Sequence, residues 1–232
     1  MIRVLDSKLA NKIAAGEVVE KPINVVKELV ENAVDAGAKH ITVEIAENLI
    51  KVSDDGVGIS REDMEMCAMR HATSKIESFE DLEKVRSYGF RGEALASIAS
   101  VSKLVISSKH VESFEGYEML IEGGEVRYMK MAACPQGTIV EVYDLFFNTP
   151  VRKKFLDMSE NERIVEFLEK FALGTTVSVR LKMFDKILID VYVQDSLERI
   201  GQVYGLEVMK EMMPITYDSE GIVIDGYVSK PS

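Results

Sequence analysis

Residues Lys21–Ala38, KPINVVKELVENAVDAGA, read as a single helix, with Pro22 in its first turn and Gly37 just past its end. Val25, Val26, Leu29, Val30, Ala33 and Val34 recur at three- and four-residue spacing, so one broad face is apolar and seeks a core. Glu28, Asn32 and Asp35 stand at i, i+4 and i+7 and line up along the other side. Two readings of that row stand. It is the solvated side of an ordinary amphipathic helix. Or the carboxylate and the carboxamide, one turn apart, hold a water and a hard cation side by side, which suits hydrolysis of a phosphoanhydride. The rest of the chain weighs between them.

Outward from this helix, Ile41, Val43 and Ile45 alternate with polar residues as a half-buried strand does. A second strand, Leu49 to Ser53, runs into Asp54-Asp55-Gly56-Val57-Gly58. Ser60 and Asp63 form a capping pattern that opens a helix expected to reach about Arg70. A short helical pattern follows near Phe79 to Val85, and the flexible loop Gly89-Phe90-Arg91-Gly92 leads into a helix of small residues from Glu93 to about Ser100. Leu104–Ser107, Tyr117–Ile121, Val126–Lys130 and Thr138–Val142 read as strands, with Gly123-Gly124 as a hairpin turn. Ser159 and Glu162 cap an amphipathic helix that ends before Gly174; strands are expected over Val177–Met183 and Ile187–Val193. This order makes the chain an α+β protein, a two-layer α/β sandwich in which helices cover one face of a mixed, largely antiparallel sheet. The expected division is a first domain over residues 1–194 and the start of a second α/β domain over 195–232.

A hydrophobic content of 47% with 29% charged residues is that of a water-soluble chain with a real core. No apolar run approaches the roughly 18 residues of a membrane span, and the N-terminus lacks a secretory apolar segment, so the expected location is the cytoplasm. Cys67 and Cys134 are the only cysteines and have no CxxC spacing, which argues against a disulfide framework or a zinc site. The net charge of −11 argues against strong stand-alone binding of duplex DNA, which needs clustered Lys and Arg. The one dense basic cluster, Arg152-Lys153-Lys154, reads first as a solvated turn or helix start and second as a nucleic-acid contact.

No G-x-x-x-x-G-K-[ST] is present and no G-x-G-x-x-G follows the first strand, which removes the P-loop and Rossmann readings. A calcium loop around Gly56 fails because Lys51 stands where the first ligand belongs. A carboxylate at the end of a buried strand can instead accept a hydrogen bond from an exocyclic amine such as that of adenine. Asp54 has that place, and a glycine shortly after it lets backbone approach a flat ring. Gly89 to Leu95 offers bare backbone N–H groups and a helix start for phosphates, with Arg91 and Lys75 to add positive charge.

Six segments, VVKELVENAVDAGA, DDGVGI, HATSK, GFRGEALASI, GTIVEV and FFNTPVRKKFL, occur in an order that resembles the MutL-type DNA mismatch repair proteins, and the opening LANKIAAGEVVEKP is also similar to theirs. The resemblance covers most of positions 4–172. Within the wider ATPase superfamily of topoisomerase subunits, heat-shock chaperone and histidine kinases, GFRGEAL and IAAGEVVEKP single out MutL. The resemblance implies an ATP- and Mg²⁺-dependent hydrolase: Glu28 as general base, Asn32 as the Mg²⁺ ligand, Asp54 on the adenine amine with Thr138 in support, and Gly58 against the base. Gly89, Arg91, Gly92, Glu93, Ala94 and Leu95 would surround the phosphates, and His71 to Arg86 would form a lid that orders on ATP. It further implies ATP-dependent self-association, coupling to the mismatch-recognition protein MutS and to a downstream nuclease, and DNA contacts weak or lost in a fragment this acidic. Family members continue into a complete second domain that supplies a lysine to the γ-phosphate, so the chain is expected to be a fragment. A nucleotide- or partner-binding module without significant turnover is the alternative. Asp55 stands where the family usually has Asn, which is expected to add negative charge at the site.

Overall fold

The structure, a computed structural model, describes residues 18–67, 69, 92–154, 159–192, 195–219 and 221–229. The expected helix near Phe79–Val85, the lid His71–Arg86, and the site residues Lys75, Gly89 and Arg91 lie outside the described residues.

Helix α1 spans Pro22–Asp35, with Pro22 at its first position and an extended Lys21 as its N-cap. Gly37 takes φ +73°, and its N–H bonds the carbonyl of Val34 at 2.8 Å while that of Ala38 bonds Ala33 at 3.1 Å. These two bonds satisfy carbonyls that the helix end would otherwise leave unpaired. Val25, Val26, Leu29, Val30 and Ala33 are buried, as the spacing requires.

Strands β1 (His40–Ala46) and β2 (Leu49–Asp54) form a hairpin through Glu47 and Asn48. Asn48 takes φ +59°, a conformation its short polar side chain tolerates, so the turn needs no glycine. Helix α2 (Arg61–Met66) is capped by Ser60 Oγ, which accepts the N–H of Asp63 at 3.1 Å; it closes at Met66, short of the expected Arg70. Then come α3 (Ala94–Ser100), β3 (Lys103–Lys109), β4 (Gly116–Glu122), β5 (Glu125–Ala132) and β6 (Gly137–Tyr143). After α4 (Pro150–Lys154) and α5 (Ser159–Leu173), the chain adds β7 (Ser178–Met183) and β8 (Lys186–Val191).

The eight strands make one sheet in the order β5-β4-β3-β6-β2-β1-β7-β8, antiparallel except for the parallel pair β1–β7. Helices α1, α3 and α5 pack on one face, where alternate residues such as Ile41, Val43, Ile106 and Leu181 are fully or nearly fully buried. Burying each such aliphatic side chain contributes about 1.5–3 kcal/mol. The outward positions are charged: Lys51 lies 3.7 Å from Glu44 and 3.6 Å from Glu141, and Lys182 lies 3.7 Å from Glu44. Opposite charges on neighbouring strands make a solvated face, so the sheet is covered on one side only.

Strand β8 stops at Val191, before the expected Val193, and the N–H of Tyr192 turns to the side chain of Gln202 at 3.0 Å. Gln202 belongs to α6 (Ser196–Tyr204), which precedes α7 (Leu206–Lys210) and a separate hairpin of β9 (Met212–Ser219) and β10 (Ile222–Ser229). Arg199 of α6 is buried and ties this segment to α5. Its Nε and Nη2 donate to the carbonyl of Ala172 at 2.8 and 2.6 Å, and Nη2 also donates to that of Val177 at 2.8 Å. A buried guanidinium needs such partners, and the C-terminal end of a helix favours its charge.

Candidate nucleotide site

The row Glu28, Asn32 and Asp35 on α1 is half-buried along its length, so it is not a freely solvated helix side. The rotation of α1 is set from both sides. Its buried face lies on β1 and β2, and on the α5 side Lys27 Nζ sits 5.5 Å over the ring of Phe167 while Lys21 pairs with the buried Glu160 at 3.4 Å.

The end of α1 is stitched to the loop after β2. Val57 donates its N–H to the carbonyl of Ala36 at 3.0 Å, and Gly56 lies so close to Ala36 that a Cβ would stand 2.7 Å from that carbonyl oxygen. This places Asp54, the last residue of β2, beside the C-terminal end of the helix that carries Glu28 and Asn32. Asp54 is the register partner of Thr138 on β6, and its Oδ1 accepts the N–H of Gly56 at 2.9 Å. Burial pushes the Asp54 carboxyl up to about 6, against hydrogen bonds from the N–H groups of Gly56 and Thr138, with a smaller upward contribution from the charge of Asp55. A half-buried carboxylate with unused acceptor capacity at a strand end is suited to a ligand N–H donor.

Thr138 belongs to a small network. Ser108 Oγ donates to the carbonyl of Gly137 at 2.8 Å and accepts the N–H of Ile59 at 2.8 Å, and it lies 3.0 Å from Thr138 Oγ1. A hydroxyl has one proton, so with Ser108 donating to Gly137, Thr138 donates to Ser108 and keeps its lone pairs for a ligand. Gly58 lies against the backbone of Lys109 and His110, too close for any side chain. Asp54, Gly58 and Thr138 thus meet at one end of the central strands β2 and β6, with Asn32 one turn before the Ala36 contact.

Gly92, Glu93, Ala94 and Leu95 form the half-buried start of α3, with Glu93 as its N-cap. The short link Val101-Ser102 turns α3 back along β3, the strand that also carries Ser108 and Lys109. Ser108 has no role among the sequence expectations, yet its signal is there: it is the polar residue at the third inward position of β3, after Leu104 and Ile106. Asp55 departs from the expected role. Its Oδ1 accepts the N–H groups of Lys39 and His40 at 2.7 and 2.8 Å, and its Oδ2 lies 2.7 Å from His40 Nδ1. The side chain fastens the loop to Lys39 and His40, and its charge acts on Asp54 only as a minor influence.

Among the described residues no three His, Cys, Asp or Glu side chains cluster to hold a metal. That donor set fits Mg²⁺ only in the manner of phosphate enzymes, where one or two protein oxygens share the ion with phosphates and water. No helix of the described residues is long and apolar enough to cross a membrane.

The model of the histidine kinase-, DNA gyrase B- and HSP90-like ATPase family matches residues 20–124, the span from α1 into the β4–β5 turn. DNA mismatch repair protein MutL of Syntrophotalea carbinolica is 45% identical over 99% of this chain and 38% of its own length. That of Desulforudis audaxviator is 46% identical over 99% of this chain and 42% of its own. The chain therefore spans about two-fifths of the length of these relatives. The Aquifex aeolicus MutL ATPase domain complexed with ADP superposes with a TM-score of 0.75 at 34% identity, covering 93% of this chain and 79% of that one. With its helix, strand-end carboxylate and glycine loop in the same fold as a MutL ATPase domain of which it covers more than three quarters, this chain belongs to the MutL family of DNA mismatch repair proteins.

Proposed function

We propose that the chain binds Mg-ATP and hydrolyses it slowly to ADP and phosphate. The observation that supports the reading is the half-buried Asp54 acceptor at the end of β2, beside Thr138 and Gly58 and next to a loop stitched to the helix of Glu28 and Asn32. In this reading Asp54 accepts the 6-amino group of adenine, Gly58 leaves room for the base, and the start of α3 faces the phosphates with backbone N–H groups. Glu28 takes the proton of the attacking water, and Asn32 holds Mg²⁺. Mg²⁺, when bound, neutralises charge on the phosphates.

The same reading gives the module its use as a nucleotide-timed switch. ATP favours a closed lid over His71–Arg86 and association of two such regions, and hydrolysis removes that bias. Coupling to MutS, to DNA and to a downstream nuclease belongs to the whole protein and is part of the proposal. The test is equilibrium binding of a non-hydrolysable ATP analogue, with and without Mg²⁺, to wild type and Asn32→Ala. Mg²⁺-dependent binding that Asn32→Ala loses supports the site. Wild-type protein that binds no analogue overturns it.

A pH dependence follows from Asp54. The free protein holds the Asp54 proton more tightly than the unfolded chain, so this group lowers stability as pH rises from about 4 to about 6. Adenine needs the carboxylate, so binding runs the other way. Analogue affinity is expected to be about tenfold weaker at pH 5 than at pH 7, relative to Asp54→Asn measured in parallel to remove the titration of the nucleotide itself. Identical pH profiles for the two proteins would refute the assignment.

A further inference from the structure

Two anchors hold residues 54–57 in place. On one side Gly137 is pressed against the carbonyl of Asp54 and the Cα of Asp55, and the β2–β6 pairing ends there. On the other, the loop meets the link between α1 and β1 through Val57 N–H to Ala36 and through the carboxylate of Asp55. That one carboxylate takes three bonds, from Lys39 N–H at 2.7 Å, His40 N–H at 2.8 Å and His40 Nδ1 at 2.7 Å. Two of them satisfy backbone donors at the very start of β1, and His40 is there the parallel partner of Ser178 on β7. A carboxylate receiving several N–H donors is held firmly in one rotamer, because each bond is charge-assisted.

We propose that Asp55 is a positioning residue for adenine recognition: it locks the loop after β2 to the α1–β1 link and so holds the Asp54 carboxylate where the 6-amino group of the base donates. The proposal rests on the nucleotide reading above. Burial pulls the Asp55 carboxyl upward, but the bonds from the His40 side chain and from the His40 and Lys39 N–H groups outweigh it and leave the carboxyl below its usual range. The clamp is therefore charged throughout the pH range in which Asp54 titrates.

The experiment measures the ratio of affinities for ATP and for purine riboside triphosphate, which lacks the 6-amino group, in wild type, Asp55→Ala, Asp55→Asn and His40→Ala, together with the Tm of each. Wild type is expected to prefer ATP by about tenfold, the size of a hydrogen bond to a charged acceptor. Asp55→Ala is expected to cut that preference to about twofold or less, mainly by weakening ATP, since a misplaced Asp54 loses a bond that the analogue never made. Asp55→Asn keeps an Oδ1 acceptor for Lys39 and His40 and is expected to keep the preference. A residue that only supported the fold would weaken both nucleotides together and leave the ratio unchanged. Where Asp55→Ala is poorly folded, His40→Ala removes the Oδ2 contact alone and reads the same ratio, with an expected narrowing of about threefold. A wild-type ratio in Asp55→Ala, or in His40→Ala if that is the variant that folds, overturns the proposal. A wild-type protein with no preference for ATP overturns the nucleotide reading itself, and the clamp with it.

Discussion

Glu28→Ala is expected to bind ATP as the wild type does and to lose hydrolysis, with turnover down by about 10²-fold or more, the contribution of a positioned general base. The two halves of that result rest on different parts of the site. In the proposed site, binding is assigned to Asp54, Thr138, the start of α3 and, through Mg²⁺, Asn32, whereas Glu28 acts on the attacking water alone, so affinity survives the change. In the proposed mechanism, turnover depends on a carboxylate held at one rotation of α1. Leu29 and Val30 beside it are buried, and Lys27 on its other flank lies over Phe167, so the helix cannot turn to offer another group. Glu28→Gln keeps the shape and removes the base, which separates proton transfer from packing. The measurement is phosphate release in single turnover, on protein free of contaminating ATPase. Undiminished release from Glu28→Ala would sink the base assignment. A wild type that binds nucleotide and releases no phosphate would favour a binding module without turnover.

The sequence and the structure agree where the signal is local. Pro22 and Gly37 mark the ends of α1 because each acts through its own backbone, and the alternation in Ile41, Val43 and Ile45 exposes the inward face of β1 directly. Pairing is another matter. Nothing in the run Val177–Met183 says that β7 lies parallel to β1, because that choice is made by residues more than a hundred positions apart. The site divides the same way. Asp54 and Gly58 were legible as a carboxylate at a strand end followed by glycine. Ser108 is not legible in this way, because its importance lies in bridging Ile59, Gly137 and Thr138, three segments that meet only when the sheet is assembled. Asp55 looked like added charge at the ligand because sequence places it next to Asp54. In the folded chain, just past the end of β2, it is instead fastened to Lys39 and His40.

Gly137→Ala is expected to cost about 3 kcal/mol or more of stability and to abolish nucleotide binding in whatever protein remains folded. Two penalties combine there. Gly137 sits at φ +104°, a region that side-chain-bearing residues rarely adopt, and its Cα faces the carbonyl of Asp54 and the Cα of Asp55 with no space for a methyl group. The obstructing atoms are backbone at the end of β2, so relief requires the Asp54–Thr138 pairing to open. Opening it moves the carboxylate proposed to read the base and withdraws the Gly137 carbonyl that Ser108 holds, so stability and binding are expected to fail through the same displacement. Gly37→Ala is the matched comparison. Gly37 also has a positive φ, +73°, but a Cβ there would meet nothing within 4 Å, so only the conformational penalty of about 1 kcal/mol applies. Urea denaturation of the two variants isolates the steric part as the difference between them. If Gly137→Ala proves no costlier than Gly37→Ala, the contact between β6 and the Asp54 loop is looser than the structure shows, and the close approach cannot be what holds the Asp54 carboxylate in place.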